Sequence, residues 1–221
     1  MIGKTKIFCI KFADDVAIVA EEEKEMKRMV EELEKYTREN DLEINTRKTK
    51  MMRFRNGGGR NAKTEWVFNE EKIEEVKKIK YLGFQLSCCN SRNEQISTQA
   101  NEARKAIKTV WGVMKRGKIE NTRRKINLYE SLIQSIALYG VELWEWSEKI
   151  ERERIQGEFM KMIMGVSRNT PDYIWRREMA RNKMARTTLK RVFKFIIRIE
   201  RMDSERWTKI CWEEIKRGGE K

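Results

Sequence analysis

Two aspartates, Asp14 and Asp15, stand side by side in KFADDVAIVA (residues 11–20), between two apolar, β-branched runs. Adjacent carboxylates repel unless cations neutralise them. A divalent ion does so economically: magnesium takes hard oxygen ligands, is held by one or two carboxylates, and keeps its other positions for water and substrate phosphates. Two such ions stabilise the attacking and leaving oxygens of phosphoryl transfer. The competing reading is a plain turn-forming pair, since Asp favours turns. The flanking runs favour the metal reading, because a catalytic pair needs a rigid scaffold.

The elements that position the pair follow from periodicity. IFCIKFA and VAIVA predict a β-hairpin covered on both faces, with Asp14-Asp15 at its tip. From Glu21 to Asn40 an acidic first turn and the spacing of Met26, Met29, Val30, Leu33 and Tyr36 predict one amphipathic helix packed on a sheet. LEIN (42–45) reads as a short extended piece, and KMMRF (50–54) as a strand ended by the turn Asn56-Gly57-Gly58-Gly59. Trp66 to Phe68, Ile73 to Val76 and KYLGFQLS (80–87) read as further strands. The fold class is α+β, and from Asn93 onward the pattern turns helical. Ile96, Ala100, Ala103, Ile107, Val110 and Met114 form a buried stripe on a helix ending near Gly117. A second helix, Thr122 to Trp146, turns Ile126, Tyr129, Leu132, Ile133, Ile136 and Ala137 inward. A third, Lys149 to Val166, carries Ile155, Phe159, Met162 and Ile163. The boundary near residue 90 divides a mixed segment (1–90) from a helical one (91–221).

Charge divides at the same place. The chain carries +14 over 221 residues. Residues 1–90 hold 19 Lys+Arg against 17 Asp+Glu, and residues 91–221 hold 30 against 18, so +12 of the total lies in the helical half. Such a basic field favours a polyanion, nucleic acid before an anionic membrane. Among Arg176, Arg177, Arg181, Lys183, Arg186, Lys190, Arg191, Lys194 and Arg198 several fall three or four apart, which predicts a basic helical face for phosphate contact. Trp175, Phe193 and Phe195 among them could stack on bases, although at helical spacing such residues are more often core. No apolar run reaches the roughly 20 residues that span a bilayer, and the N-terminus lacks a signal-peptide pattern, which predicts an intracellular protein of nucleus or cytoplasm without a membrane partner. Four cysteines without CxxC spacing and the absence of histidine argue against a zinc site and a histidine base. Reduced, mostly buried thiols are the expectation.

Phe12-Ala13-Asp14-Asp15 resembles the x-A-D-D signature of the reverse transcriptase palm, in the form used by non-LTR retrotransposons. The following elements arrive in that family's order. LEINTRKTKMMRF, with Asn45, Lys48 and Thr49, resembles the block in which Asn-x-x-Lys-[Ser/Thr] precedes a strand. Lys80-Tyr81-Leu82-Gly83 resembles the primer-grip hairpin with its [Tyr/Phe]-Leu-Gly core, and ALYGVELWEW, GVSRNTPDY and KICWEE are similar to thumb and post-thumb segments. The resemblance implies a truncated polymerase palm of antiparallel hairpins plus a helix, followed by an all-helical thumb and basic C-terminal extension. It implies Asp14 and Asp15 as Mg²⁺ ligands, Lys48 as a candidate general acid toward the departing pyrophosphate, and Tyr81, Leu82 and Gly83 as primer-end support. RNA template and DNA primer are the implied partners.

The family's palm also uses a third carboxylate from an upstream F-x-D block, together with fingers that bind the nucleotide, and neither has a counterpart before the hairpin. The expectation is therefore a palm-end and thumb fragment of an RNA-directed DNA polymerase, with metal binding weak or absent, inactive alone, and partnered with the missing fingers and palm segment. Two alternatives stay open: a non-catalytic RNA- or DNA-binding helical module, and a helical protein-interaction module.

Overall fold

The computed structural model describes residues 7–55, 64–89, 92–144 and 150–218. The expected Gly57–Gly59 turn and the end of the expected second helix at Trp146 lie outside them. The fold is α+β: short strand pairs and one helix, then a helical region. The chain divides into two compact units, one of Met1–Ile79, Ser87–Asn90 and Ile199–Lys221, the other of Lys80–Leu86 and Ser91–Arg198.

In the first unit, β1 (Cys9–Phe12) and β2 (Asp15–Ile18) form an antiparallel pair with Phe12 opposite Asp15, joined by Ala13-Asp14. The expectation that this hairpin is covered on both faces is corrected. All four β1 residues are exposed, Phe12 at 63%, because among the described residues the two strands pair only with each other. The other sheet orders β3 (Lys50–Met51), β5 (Glu71–Glu75) and β4 (Trp66–Phe68), with β3 parallel and β4 antiparallel to β5. The Asn69-Glu70 turn between β4 and β5 puts both residues at positive φ, 45° and 66°, which matches the right-handed strand twist. Glu34 fixes it by accepting from the Asn69 amide at 2.7 Å. Glu34 lies on α1 (Glu23–Glu39), whose Met26, Val30 and Leu33 cover Trp66, Phe68 and Ile73 in a small core. Tyr36, expected inward, is exposed, and Thr37 is buried in that last stretch instead. KMMRF keeps only Lys50–Met51 as strand, and LEIN is irregular. KYLGFQLS is not one strand but a hairpin, β6 (Lys78–Tyr81) and β7 (Phe84–Ser87), whose residues Lys80–Leu86 belong to the second unit.

The helical unit is built on α2 (Arg92–Arg116). Its stripe of Ile96, Ala100, Ala103, Ile107, Val110 and Met114 is buried throughout, each large aliphatic contributing on the order of 1.5–3 kcal/mol. Against it lie α3 (Thr122–Leu128), a π-helical turn (Tyr129–Ile133) and α4 (Gln134–Ala137), followed by α5 (Val141–Trp144) and α6 (Ile150–Met164). Asn121 caps α3, its Oδ1 accepting from the Arg124 amide at 3.1 Å. The expected single helix from Thr122 is thus interrupted twice. The wider π turn rotates the register, so Leu132, expected inward, is 47% exposed while Tyr129 and Ile133 are buried. The helix then stops at Tyr139-Gly140, where Gly140 has φ 69°. Ile155, Phe159 and Met160 of α6 complete the core with Trp175 of α7 (Asp172–Glu178) and Met184 of α8 (Met184–Glu200). Burial pushes the Tyr129 hydroxyl well above its ordinary pKa, reinforced by the Glu153 carboxylate, and the hydroxyl donates to Met184 Sδ.

In the first unit, Glu200 is held by α9 (Trp207–Gly218): Lys209 Nζ and Trp212 Nε1 each donate to it at 2.8 Å, and Lys216 Nζ donates as well. These bonds, Lys209's and Lys216's first, depress its carboxyl to about 2. All four cysteines are free; Cys9 and Cys89 are exposed and Cys88 and Cys211 half-buried, so they are not mostly buried as expected.

Gly140→Ala is predicted to cost clearly more stability than Gly165→Ala. Both have φ 69°, but an added Cβ at Gly140 meets Phe84 Cε1 at 2.2 Å and one at Gly165 meets nothing within 4 Å. The left-handed backbone alone costs about 1–2 kcal/mol, so urea titration should give that value at Gly165 and a larger one at Gly140. For Glu200, the depressed carboxyl means that its contribution is complete above the ordinary value of 4.5 and is lost as pH falls towards about 2. Acid titration should therefore release α9 in that window, and Glu200→Gln should remove the pH-dependent step.

Candidate nucleic-acid interface and acidic turn

Asp14 lies in the two-residue β1–β2 turn and Asp15 opens β2 opposite Phe12, so the pair stands at the hairpin tip. Ala13 before them has φ 49°, an uncommon conformation for a residue with a Cβ. Both carboxylates are exposed, and among the described residues neither accepts a hydrogen bond or makes an ion pair. The oxygen donors suit a hard divalent ion in kind. Among the described residues, however, no group of three acidic, cysteine or histidine side chains could hold a metal. The described residues thus offer a two-carboxylate donor set, which does not assemble a two-metal centre.

Lys48 lies in an exposed turn whose shape comes from Asn45. The Asn45 side chain accepts from the Lys48 amide at 3.1 Å, and the Asn45 carbonyl accepts from the Thr49 amide at 3.0 Å and its hydroxyl at 2.9 Å. The Asn-x-x-Lys-Thr spacing is therefore a self-bonded turn. Lys48 Nζ has no partner among the described residues. No interaction joins it to Asp14 or Asp15.

Tyr81, Leu82 and Gly83 form the tip of the β6–β7 hairpin, and this tip is tightly held. Leu82 and Gly83 take φ 47° and 80°, the paired left-handed geometry of a two-residue hairpin turn. The Tyr139 hydroxyl donates to the Leu82 carbonyl at 2.8 Å, and the Tyr139 ring packs 5.0 Å from that of Phe84. A Cβ on Gly83 would meet Tyr139 Cε1 at 2.9 Å, so glycine is required there by both conformation and space. Gln95 Oε1 accepts from the Gln85 amide at 2.5 Å. Tyr139, Gly140, Gln95 and Gln99 are the residues that sequence reasoning missed. Gly140 within a helical period was the one available signal of a break.

The basic residues separate into two groups. Arg176 is not on an exposed face. It donates to Glu153 at 2.6 Å and Gln156 at 2.8 Å, lies 4.2 Å over the Trp175 ring, and Glu153 also accepts from the Ala185 amide at 3.0 Å. Trp175 is fully buried, so it is core and not a stacking platform. Arg181 is paired with Glu130, Arg186 donates to Asn182 at 3.0 Å, and Lys183 is also partnered. Arg191 donates to the Leu138 carbonyl at 3.2 Å. Arg177, Lys190, Lys194 and Arg198 are exposed, and among the described residues their side chains have no hydrogen bond or ion pair. Phe193 is exposed and Phe195 half-buried.

Residues 1–86 match the family model described as reverse transcriptase (RNA-dependent DNA polymerase). That match includes the acidic turn, the Asn45 turn and the Tyr81-Leu82-Gly83 tip. The chain is also similar to a Caenorhabditis elegans protein whose name describes it as transposon-derived, at 26% identity over 165 residues. The alignment covers 72% of this chain and 57% of that protein, so the chain spans little more than half the length of its curated relative. No solved structure matches the chain. Among the described residues, no helix is long and apolar enough to cross a membrane.

Arg176→Ala is predicted to destabilise the helical unit by about 3–5 kcal/mol, because it strands the Glu153 carboxylate without its buried partner. Arg177→Ala should stay within about 0.5 kcal/mol of the parent. Thermal unfolding followed by circular dichroism separates the two.

Proposed function

We propose that this chain is the palm-end and thumb portion of an RNA-directed DNA polymerase of the non-LTR retrotransposon type, acting on an RNA template and a DNA primer. The observation that carries the proposal is the x-A-D-D turn at a hairpin tip inside the segment that matches the reverse transcriptase family. The self-bonded Asn45 turn and the Leu82-Gly83 tip support it by following in the family's order. In the complete enzyme, Asp14 and Asp15 would hold divalent metal, Mg²⁺ by the chemistry of the donors, and the metal would supply charge stabilisation for nucleotidyl transfer. Lys48, exposed and without a partner among the described residues, would serve as the cationic donor toward the leaving group. Tyr81, Leu82 and Gly83 support the primer end. Residues 1–90 serve as the palm portion and residues 91–221 as the thumb with its basic extension.

Taken by itself, the chain is proposed to be inactive, because two carboxylates do not fix the in-line geometry that the reaction needs. A palm and fingers segment is its proposed partner, and the exposed faces of the β1–β2 hairpin are where that segment would add.

A second reading, a non-catalytic RNA- or DNA-binding helical module, is favoured by the exposed, unpaired Arg177, Lys190, Lys194 and Arg198 and by the +12 charge of residues 91–221.

Primer extension by the isolated chain with Mg²⁺ should give no template-dependent product; robust extension would overturn the claim of inactivity. Titration with Mn²⁺ followed by electron paramagnetic resonance should show weak binding that Asp14→Asn with Asp15→Asn abolishes. Binding that survives this double substitution would remove the metal role. The same double variant should leave salt-sensitive nucleic-acid binding unchanged.

A further inference from the structure

Within the helical unit a groove of about 580 Å³ runs between α8 and the α4–α5 break, with Phe84 of the hairpin tip in its wall. Its size falls in the ~300–1,000 Å³ range of sites that take a small organic ligand, a class that includes a single nucleotide. One side is cationic: Arg191, Lys194 and Arg198 are spaced three and four apart on α8 and so share a face. Phe195, four residues beyond Arg191, stands among them. The opposite side is apolar and aromatic, made by Leu138, Tyr139, Leu143 and Phe84. Glu142 is the one carboxylate in the lining.

The chemistry of the two sides is what selects a ligand. Arg191 is tied to the Leu138 carbonyl at 3.2 Å and helps to fix the groove wall. Lys194 and Arg198 are exposed and carry charge that nothing among the described residues neutralises. A ligand therefore needs an anionic edge toward α8 and a flat, apolar body toward the aromatic wall. A purely apolar helix of a partner protein would leave both cations unmatched. A duplex presents phosphates but keeps its bases stacked inside, so it satisfies only the α8 side.

We propose that this groove binds single-stranded nucleic acid one nucleotide at a time, with backbone phosphate on Lys194 and Arg198 and an unstacked base against Phe195 and the Tyr139–Phe84 wall. Aromatic stacking of this kind is tolerant of sequence and adds to the electrostatic attraction of the backbone. The site deepens the nucleic-acid-binding reading and is independent of Asp14 and Asp15, since every lining residue belongs to the helical unit.

The test is fluorescence anisotropy of the full chain with a labelled oligouridine 12-mer, and with a duplex RNA of equal length, across a salt series. The parent should bind the single strand more tightly than the duplex. Phe195→Leu, which keeps apolar bulk but removes the ring, should weaken single-strand binding about tenfold and leave duplex binding unchanged, while Phe195→Trp should retain it. Lys194→Gln and Arg198→Gln should each lower the slope of log K against log salt by about 0.7. These two residues are exposed, so their variants should melt like the parent and remain informative if Phe195→Leu unfolds. Salt-sensitive binding that is indifferent to Phe195, Lys194 and Arg198 would overturn the groove and leave the nucleic-acid reading standing on Arg177 and Lys190. Absence of salt-sensitive binding to either RNA would overturn both.

Discussion

The helical unit depends on how the chain ends one helix. When α4 stops, its last carbonyls lose their intrahelical partners, and buried acceptors left bare are costly. Three successive carbonyls meet this demand through side chains from three separate helices. Arg152 of α6 donates to Ala137 at 3.0 Å, Arg191 of α8 to Leu138 at 3.2 Å, and Gln99 of α2 to Tyr139 at 2.5 Å. Arg152 and Gln99 are themselves buried polar side chains, which is tolerable only because each has an acceptor waiting. A helix stop that would otherwise be a defect thus becomes the point at which α2, α6 and α8 are tied together.

The same stop positions the groups with functional interest. Because the chain leaves the helix at Tyr139, the phenol is free to reach the Leu82 carbonyl, and Gly140 makes room for Phe84. Arg191, in capping Leu138, orients the α8 face that also bears Lys194 and Arg198. Internally bonded and outward-facing arginines can be told apart by whether an acid or carbonyl faces them. Arg176 neutralises Glu153 inside the unit, and Arg198 neutralises nothing among the described residues. Of the nine cations that spacing places on one basic face, the four exposed ones without a partner carry an electrostatic field outward without first breaking an internal bond.

Much of this was legible in the residues. The α2 stripe, the buried faces of α6 and the Asp14-Asp15 turn follow from simple periodicity, which reports local geometry well. The failures have a common origin in long-range context. Periodicity showed β-branched runs around the aspartates, but it could not show that no described element covers them. It read Thr122 onward as one helix, because a π turn leaves no mark in composition and because the reason for stopping at Gly140 is a hairpin tip more than 50 residues earlier. It placed Arg176 with the other cations, since the distinction rests on Glu153, 23 residues away. Periodicity read KYLGFQLS as one strand because Leu82 gives no hint of a left-handed backbone, whereas the resemblance of Lys80-Tyr81-Leu82-Gly83 to a hairpin core anticipated the turn.

The π-helical turn at Tyr129–Ile133 has a consequence for how the unit tolerates change in chain length. A π turn carries one residue more than the α-helical turn it replaces, so a single deletion inside it would restore ordinary helix without shortening any loop. Five residues of π turn rotate the chain about as far as four of α-helix, so everything after such a deletion would keep its facing and Tyr139 would still reach the Leu82 carbonyl. A deletion elsewhere in the same stretch has no such outlet and would swing the following residues round the axis by about 100°. The turn thus absorbs one residue of length between the half of the helix that packs on α2 and the half that delivers Tyr139.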